Sequence, residues 1–165
     1  MNKPIGQSEF KTAAVMKKTL VLLSLILAAC SQDVSSPAES VIPERWQDSN
    51  EIYKFSSGIR AGNFLYLSGI VTPAPKEGET LEDVYERTFD SIESVLTEGG
   101  ASWDNVIALE TYHMDIPAQI DAFIAVKNRH MTEKPYPTWT ALDVDRFFPD
   151  QGISEIKVTA YLGGK

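Results

Sequence analysis

Residues 80–113 read TLEDVYERTFDSIESVLTEGGASWDNVIALETYH, and they decide the fold because they join the clearest helix of the chain to a strand. Thr80 and Asp83 have the spacing of a helix-capping box. Apolar side chains then recur every three or four residues until a Gly-Gly pair ends the pattern. Residues 106–113 form a β-prone run that alternates between two faces. The stretch therefore predicts an amphipathic helix followed by a strand.

Shorter elements flank this unit on both sides. Two β-prone runs, residues 52–57 and 64–71, are separated by turn-forming residues and predict a hairpin. Pro117 fits the first turn of a second amphipathic helix, and residues 138–144 and 153–162 predict the last two strands. The order is ββαβαββ, an α/β (α+β) domain with one mixed sheet and two helices on one face. The uncovered sheet face predicts an oligomer.

A secretory signal precedes the domain. Residues 16–30 read MKKTLVLLSLILAAC, with two lysines, an apolar run and two alanines before a cysteine. The run is shorter than the roughly 20 residues that a permanent membrane helix needs. Residues 27–30 resemble the bacterial lipobox, in which the cysteine is acylated and the chain is cut before it. We therefore predict a lipoprotein signal peptide at 16–29 and a lipid on Cys30.

Cys30 is the only cysteine, so no disulfide can form within the chain. The alternatives are a buried structural cysteine and an ordinary signal peptide. Lipidation predicts an exported protein anchored on the periplasmic side of the bacterial envelope. In the bacterial sorting pattern an Asp after the lipidated cysteine favours the inner membrane, so Ser31 at that position favours the outer membrane. Residues 1–15 contain no apolar region and read as an extension, so Met16 is an alternative start to Met1.

Residues 30–50 are rich in Ser, Pro, Asp and Glu, which predicts a flexible tether in which Trp46 is the one residue suited to docking. The domain is then residues 51–165. Removal of residues 1–29 takes four of the 15 basic and one of the 23 acidic residues, which leaves a formal net charge of −11. Such a surface repels phosphate backbones, so we predict no nucleic-acid partner.

Several segments together resemble the RidA family, also called the YjgF or L-PSP endoribonuclease family. They are GNFLYLSG at 62–69, GGASWDNV at 99–106, and residues 123–131, 137–142 and 154–156. Each is common in unrelated α/β domains, but their joint occurrence spans nearly all of residues 52–162. The resemblance implies a chorismate-mutase-like homotrimer with small-molecule clefts between subunits. It also implies hydrolytic deamination of enamines and imines.

The resemblance assigns the candidate site residues. In the deaminases an arginine in the penultimate strand binds the substrate carboxylate, but here that segment reads PTWT and Trp139 stands at the position. Tryptophan offers one N–H donor and no charge. A family tyrosine aligns with Phe55, and the water-orienting glutamate aligns with Glu155, a candidate general base. The predicted site is catalytic Glu155 with the ligand-binding residues Phe55, Ser68, Gly69, Trp139 and Thr140.

Each assignment has a structural alternative. Glu155 is alternatively a solvent-facing strand carboxylate, Trp139 a core or interface side chain, and Ser68-Gly69 the end of a strand. His113 and His130 lack metal-ligand spacing, so we predict no metal and no organic cofactor.

Two main functions remain open. One is an envelope protein that binds a small metabolite between subunits without deaminase chemistry. The other is a hydrolase that uses Glu155 to activate water on an enamine- or imine-like substrate. A third reading is a chaperone or assembly surface.

Overall fold

A seven-stranded mixed sheet organises the fold. The computed structural model describes residues 37–163. The strands are β1 (Glu39–Val41), β2 (Gly58–Ala61), β3 (Phe64–Leu67), β4 (Ile70–Pro73), β5 (Val106–His113), β6 (Thr138–Asp143) and β7 (Gly152–Tyr161). The helices are α1 (Gln47–Tyr53), α2 (Leu81–Glu98) and α3 (Ile116–His130). Cys30, the predicted signal peptide and the N-terminal extension lie outside the described residues.

The strand order is β1-β2-β3-β7-β5-β6, and β4 also pairs with β7. The β5–β6 pair is parallel and the other pairs are antiparallel. Alternate residues of β7 are buried on the side where α2 and α3 pack: Ser154, Ile156, Val158 and Ala160. This confirms the predicted fold class, a mixed sheet with helices on one face.

Helix α2 forms as its sequence predicts. The Thr80 hydroxyl accepts a hydrogen bond from Asp83 N at 3.2 Å, and the Thr80 N–H donates to the Asp83 carboxylate at 2.8 Å. These bonds satisfy two of the N–H groups that a helix start leaves free. Gly100, at φ 77°, adopts the left-handed conformation that follows many helix ends. The buried face is Val84, Tyr85, Thr88, Phe89, Ile92, Val95 and Leu96.

The segment before the predicted domain is folded, which corrects two predictions. The tether was expected to reach residue 50, but β1 pairs with β2 and buries Val41. Residues 52–57 were expected to form a strand, but Gln47–Tyr53 is a helix that ends at Lys54 in the left-handed region. The hairpin is instead β2 and β3. Trp46 docks against the core as expected.

The predicted strand at 64–71 is interrupted, which corrects a third prediction. Tyr66 pairs with Thr159 and Ile70 pairs with Ile156. An advance of four residues from β3 to β4 therefore matches an advance of only three residues along β7. The extra residue makes a β-bulge at Ser68-Gly69. As a result Ile70 points to the same face as the buried Leu67, which simple alternation would not allow.

Candidate functional site

The bulge is held from one side by the segment that leads into β2. The Ser68 N–H donates to the Ser57 carbonyl oxygen at 2.9 Å, and the Ser68 hydroxyl donates to the Ser56 carbonyl oxygen at 2.6 Å. Both bonds use backbone acceptors, so they fix the chain path and leave no nucleophile–base pair at Ser68. A serine-hydrolase role for this residue therefore has no geometric support.

Glu155 lies on the other side of the bulge. A methyl group built at Gly69 would overlap the Glu155 carboxylate, so the acid occupies the space that a side chain would take. Burial raises the pKa of Glu155, while the nearby Lys157 lowers it. The Lys157 ammonium is 3.8 Å from the Glu110 carboxylate. The result is a half-buried acid whose pKa lies above its ordinary value, the direction that favours a role in proton transfer.

A pocket of about 250 Å³ opens beside the bulge. Its lining residues are Trp46, Ser49, Phe55, Ser57, Ser68, Gly69, Ile70 and Val71. Among the described residues, those that line it combine apolar side chains with hydroxyl groups and include no charged side chain. Such a lining suits a small ligand with an apolar body and a few polar atoms.

Three predicted site residues, Phe55, Ser68 and Gly69, therefore lie together, with Glu155 against Gly69. Sequence reasoning did not assign Trp46 and Ser49, because both lie in the segment interpreted as a tether. The feature of the sequence that could have indicated this part of the pocket is a tryptophan, Trp46, within an otherwise polar stretch.

Trp139 lies away from this pocket. Its indole N–H donates to the Thr111 hydroxyl at 3.0 Å, and its ring centroid is 5.5 Å from that of Phe123 on α3. The Lys127 ammonium is 5.4 Å from the Trp139 ring centroid, within the range of a cation–π interaction. Within one chain, Trp139 therefore packs against α3 while 39% of the residue remains exposed. Its predicted ligand contact stays a prediction about the assembled oligomer.

The strand register explains why Trp139 lies away from the pocket and from Glu155. Trp139 pairs with the buried Leu109 and so faces the helices, whereas Glu155 pairs with Tyr112 on the opposite face of the sheet. Thr140 lies on the same face as Glu155 but does not line the pocket. Its predicted ligand contact also stays a prediction about the oligomer.

Neither His113 nor His130 lines the pocket, and each contacts a side chain elsewhere in the domain. His113 is fully buried, its Nδ1 lies 3.1 Å from the Gln119 side-chain oxygen, and burial lowers its pKa. His130 Nε2 lies 2.8 Å from a Glu86 carboxylate oxygen. In the part of the chain that the structure describes, no group of three His, Cys, Asp or Glu side chains is placed to hold a metal ion.

The model of the family described as Endoribonuclease L-PSP matches residues 47–162. The chain belongs to this family. The matched span begins within the segment that carries Trp46 and α1, so the family domain starts before residue 51. Family membership agrees with the resemblance to RidA and YjgF proteins in the sequence.

Two curated relatives are about 30% identical to the chain over the aligned residues. RutC family protein YjgH of Escherichia coli (strain K12) is 31% identical over 96 residues, which cover 56% of this chain and 72% of the relative. RutC family protein SSO3206 of Saccharolobus solfataricus is 30% identical over 110 residues, covering 64% and 85%.

A solved structure has the same fold. The structural-genomics structure of protein YJGH superposes with a TM-score of 0.67 at 26% identity and covers 79% of this chain and all of that one. Within residues 37–163, the helices are too short or too polar to cross a membrane.

Proposed function

We propose that the chain is a RidA-family envelope lipoprotein that binds a small metabolite in the pocket beside the Ser68-Gly69 bulge, without classical 2-imino-acid deaminase activity. The observation that carries this proposal is Trp139, which stands where the deaminases have their arginine. Its single donor is already used by Thr111. The pocket lining described above has no charged side chain that could replace the lost guanidinium.

The missing charge matters because carboxylate recognition depends on paired donors. A guanidinium presents a planar fork of N–H groups that matches both oxygens of a carboxylate. An indole donates one hydrogen bond and carries no charge. A 2-imino acid would therefore lose its main anchor, whereas a ligand without a carboxylate would lose nothing.

The second candidate function is hydrolysis of another enamine- or imine-like substrate, and Glu155 favours it. This carboxylate is half-buried, lies directly against Gly69, and has a raised pKa. A general base works best when its pKa is close to the working pH. Glu155 could thus take a proton from a water molecule bound beside the bulge.

An ammonia-release assay with freshly generated 2-aminoacrylate separates the two functions. We expect the purified protein to accelerate release no more than Glu155→Ala does. We expect Trp139→Arg to gain activity, because in the assembled oligomer this position is predicted to reach the ligand and the arginine would supply a carboxylate anchor there. Trp139→Lys is the matched control, because it restores charge without the fork. Robust turnover by the unmodified protein would refute the binding-only proposal in favour of the hydrolase.

The proposal includes a homotrimer with clefts between subunits. Exposed aromatic side chains on the helix-free face of the sheet support it: Phe64 lies 5.9 Å from Tyr66 and 5.2 Å from Tyr161 between ring centroids. Leu142, 51% exposed, lies on the same face. Sedimentation equilibrium should give three times the chain mass, and a stable monomer would refute this part.

The lipid anchor on Cys30 is proposed from the lipobox-like end of the signal. In a bacterial host, Cys30→Ser should abolish incorporation of labelled fatty acid and release the protein from membranes. Ser31→Ala is the matched control for labelling. Continued labelling of Cys30→Ser would contradict the anchor without affecting the pocket.

A further inference from the structure

We infer that the pocket selects small ligands that carry an amine and no carboxylate, and that Trp46 is the wall on which the apolar part of such a ligand packs. The inference rests on the proposed small-molecule function and goes further by naming the ligand class. Its two supports are the charges around the pocket and the way the Trp46 segment is held.

An acid lies against the pocket lining, whereas the lysines nearby pair with other acids: Lys54 lies 3.0 Å from Glu51. Gly69 lines the pocket, and the Glu155 carboxylate lies directly against Gly69, so this acid is next to the pocket lining. Lys157, the cation that shares its strand, lies 3.8 Å from Glu110. A carboxylate in the pocket would be repelled by Glu155, and the nearby lysines that could offset this repulsion already pair with acids, whereas an ammonium group would be attracted.

The hydroxyl groups of the lining also suit an ammonium group. Ser49, Ser57 and Ser68 line the pocket, and Ser57 is only 1% exposed. The Ser57 hydroxyl has no hydrogen-bond partner among the described residues. A buried hydroxyl oxygen gains from accepting a hydrogen bond, and an ammonium group has three to donate.

Trp46 is held in place from outside the pocket. The Arg45 guanidinium lies 4.6 Å from the Trp46 ring centroid, and its Nη2 donates to the Ser94 hydroxyl at 2.8 Å and to the Ser91 carbonyl oxygen at 3.3 Å. These contacts tie the turn before α1 to helix α2. They also direct the Arg45 guanidinium toward α2, so its N–H donors are used there and not in the pocket.

The size of the pocket suits a ligand of about one ring with a short side chain. An engineered cavity of about 150 Å³ holds benzene, and this pocket measures about 250 Å³. Phenethylamine, phenethyl alcohol and phenylacetate share the same ring and differ in charge. They are therefore suitable probes of the charge preference.

Isothermal titration calorimetry of the purified protein with the three probes at neutral pH tests the inference. We expect phenethylamine to bind about tenfold tighter than phenylacetate, with the alcohol between them. Tightest binding by phenylacetate would overturn the inference. Equal binding of the three would also overturn it and leave the proposed function standing, whereas binding of none would refute both.

Matched variants test the two residues separately. Glu155→Gln should remove the preference for the amine over the alcohol, and Glu110→Gln, which removes the same charge from the same sheet face, should keep it. Trp46→Ala should weaken all three probes by about tenfold, and Gln47→Ala should not. Equal effects of Glu155→Gln and Glu110→Gln would refute a direct role for Glu155, and unchanged binding by Trp46→Ala would refute the wall.

Discussion

The Ser68-Gly69 bulge and the edge strand β6 carry the two halves of the predicted site, and they differ in what their side chains contact. At the bulge, the Glu155 carboxylate lies against glycine backbone beside a pocket. On β6, the Trp139 ring packs on Phe123 and its N–H is bonded to Thr111. The difference teaches that two parts of a site predicted from sequence can lie on opposite faces of one sheet, one beside a pocket and the other packed against a helix.

Phe123→Ala should have the largest effect, because Phe123 is fully buried and supports the Trp139 side of the comparison. Its ring contacts those of Tyr85, Phe89 and His113 as well as Trp139. We expect the free energy of unfolding to fall by about 3–5 kcal/mol. Urea unfolding measures it, and a loss below about 1 kcal/mol would show that Trp139 does not rest on a packed core.

Gly69→Ala should have the next largest effect and tests the bulge side. The added methyl group would overlap the Glu155 carboxylate, so the free energy of unfolding should fall by about 1–3 kcal/mol. The control is the same substitution in a Glu155→Ala background, where the overlap is absent and the loss should largely vanish. An equal loss in both backgrounds would mean that Glu155 does not fill this space.

Trp139→Phe should have a smaller effect. The phenyl ring keeps the contact with Phe123 but loses the hydrogen bond to Thr111, which should lower the free energy of unfolding by about 0.5–1.5 kcal/mol. Thr111→Val and the double variant complete a thermodynamic cycle. If the losses of the two single variants simply add, Trp139 and Thr111 are not coupled and the packing role loses its main support.

The pH dependence of stability should show the smallest effect. Burial raises the pKa of Glu155 above its ordinary value of 4.5, so the folded state binds the proton of the Glu155 carboxyl group more tightly than the unfolded state does. Its contribution to the free energy of unfolding is therefore greatest below pH 4.5 and falls as the pH rises through the raised pKa.

Urea unfolding of the protein and of Glu155→Gln over this range measures the fall. His113, whose pKa is lowered by burial, titrates in both proteins and cancels in the comparison. If the difference between the two proteins grew in favour of the unmodified protein as the pH rises, Glu155 would be stabilised as a charged group, contrary to the geometry at the bulge.

The unit from α2 to β5 could be predicted because its signals are local. A capping box, a regular apolar face and a glycine stop all lie within one stretch of chain, and each is found where expected. Helix α1, in contrast, reads QDSNEIY and has no buried residue, so no apolar periodicity marks it. Strand β1 is three residues long and exists through its pairing with β2, a contact that local sequence does not reveal.

The candidate site was predictable in part for the same reason. Phe55, Ser68, Gly69 and Glu155 came from family-like motifs, and the structure brings them together around the bulge. The bulge itself could not be predicted, because one extra residue shifts the alternation of a strand that otherwise reads as continuous. Trp46 was missed as a pocket residue because its neighbours are polar.

The most direct test of the account is an NMR titration of the protein with phenethylamine, following backbone amide and indole N–H resonances. The account predicts that the amide signals of Ser68, Gly69 and Val71 shift, together with the Trp46 indole signal, and that the shifts shrink in Glu155→Gln. Shifts confined to β6 and the Trp139 indole, with Ser68 and Gly69 unmoved, would contradict it.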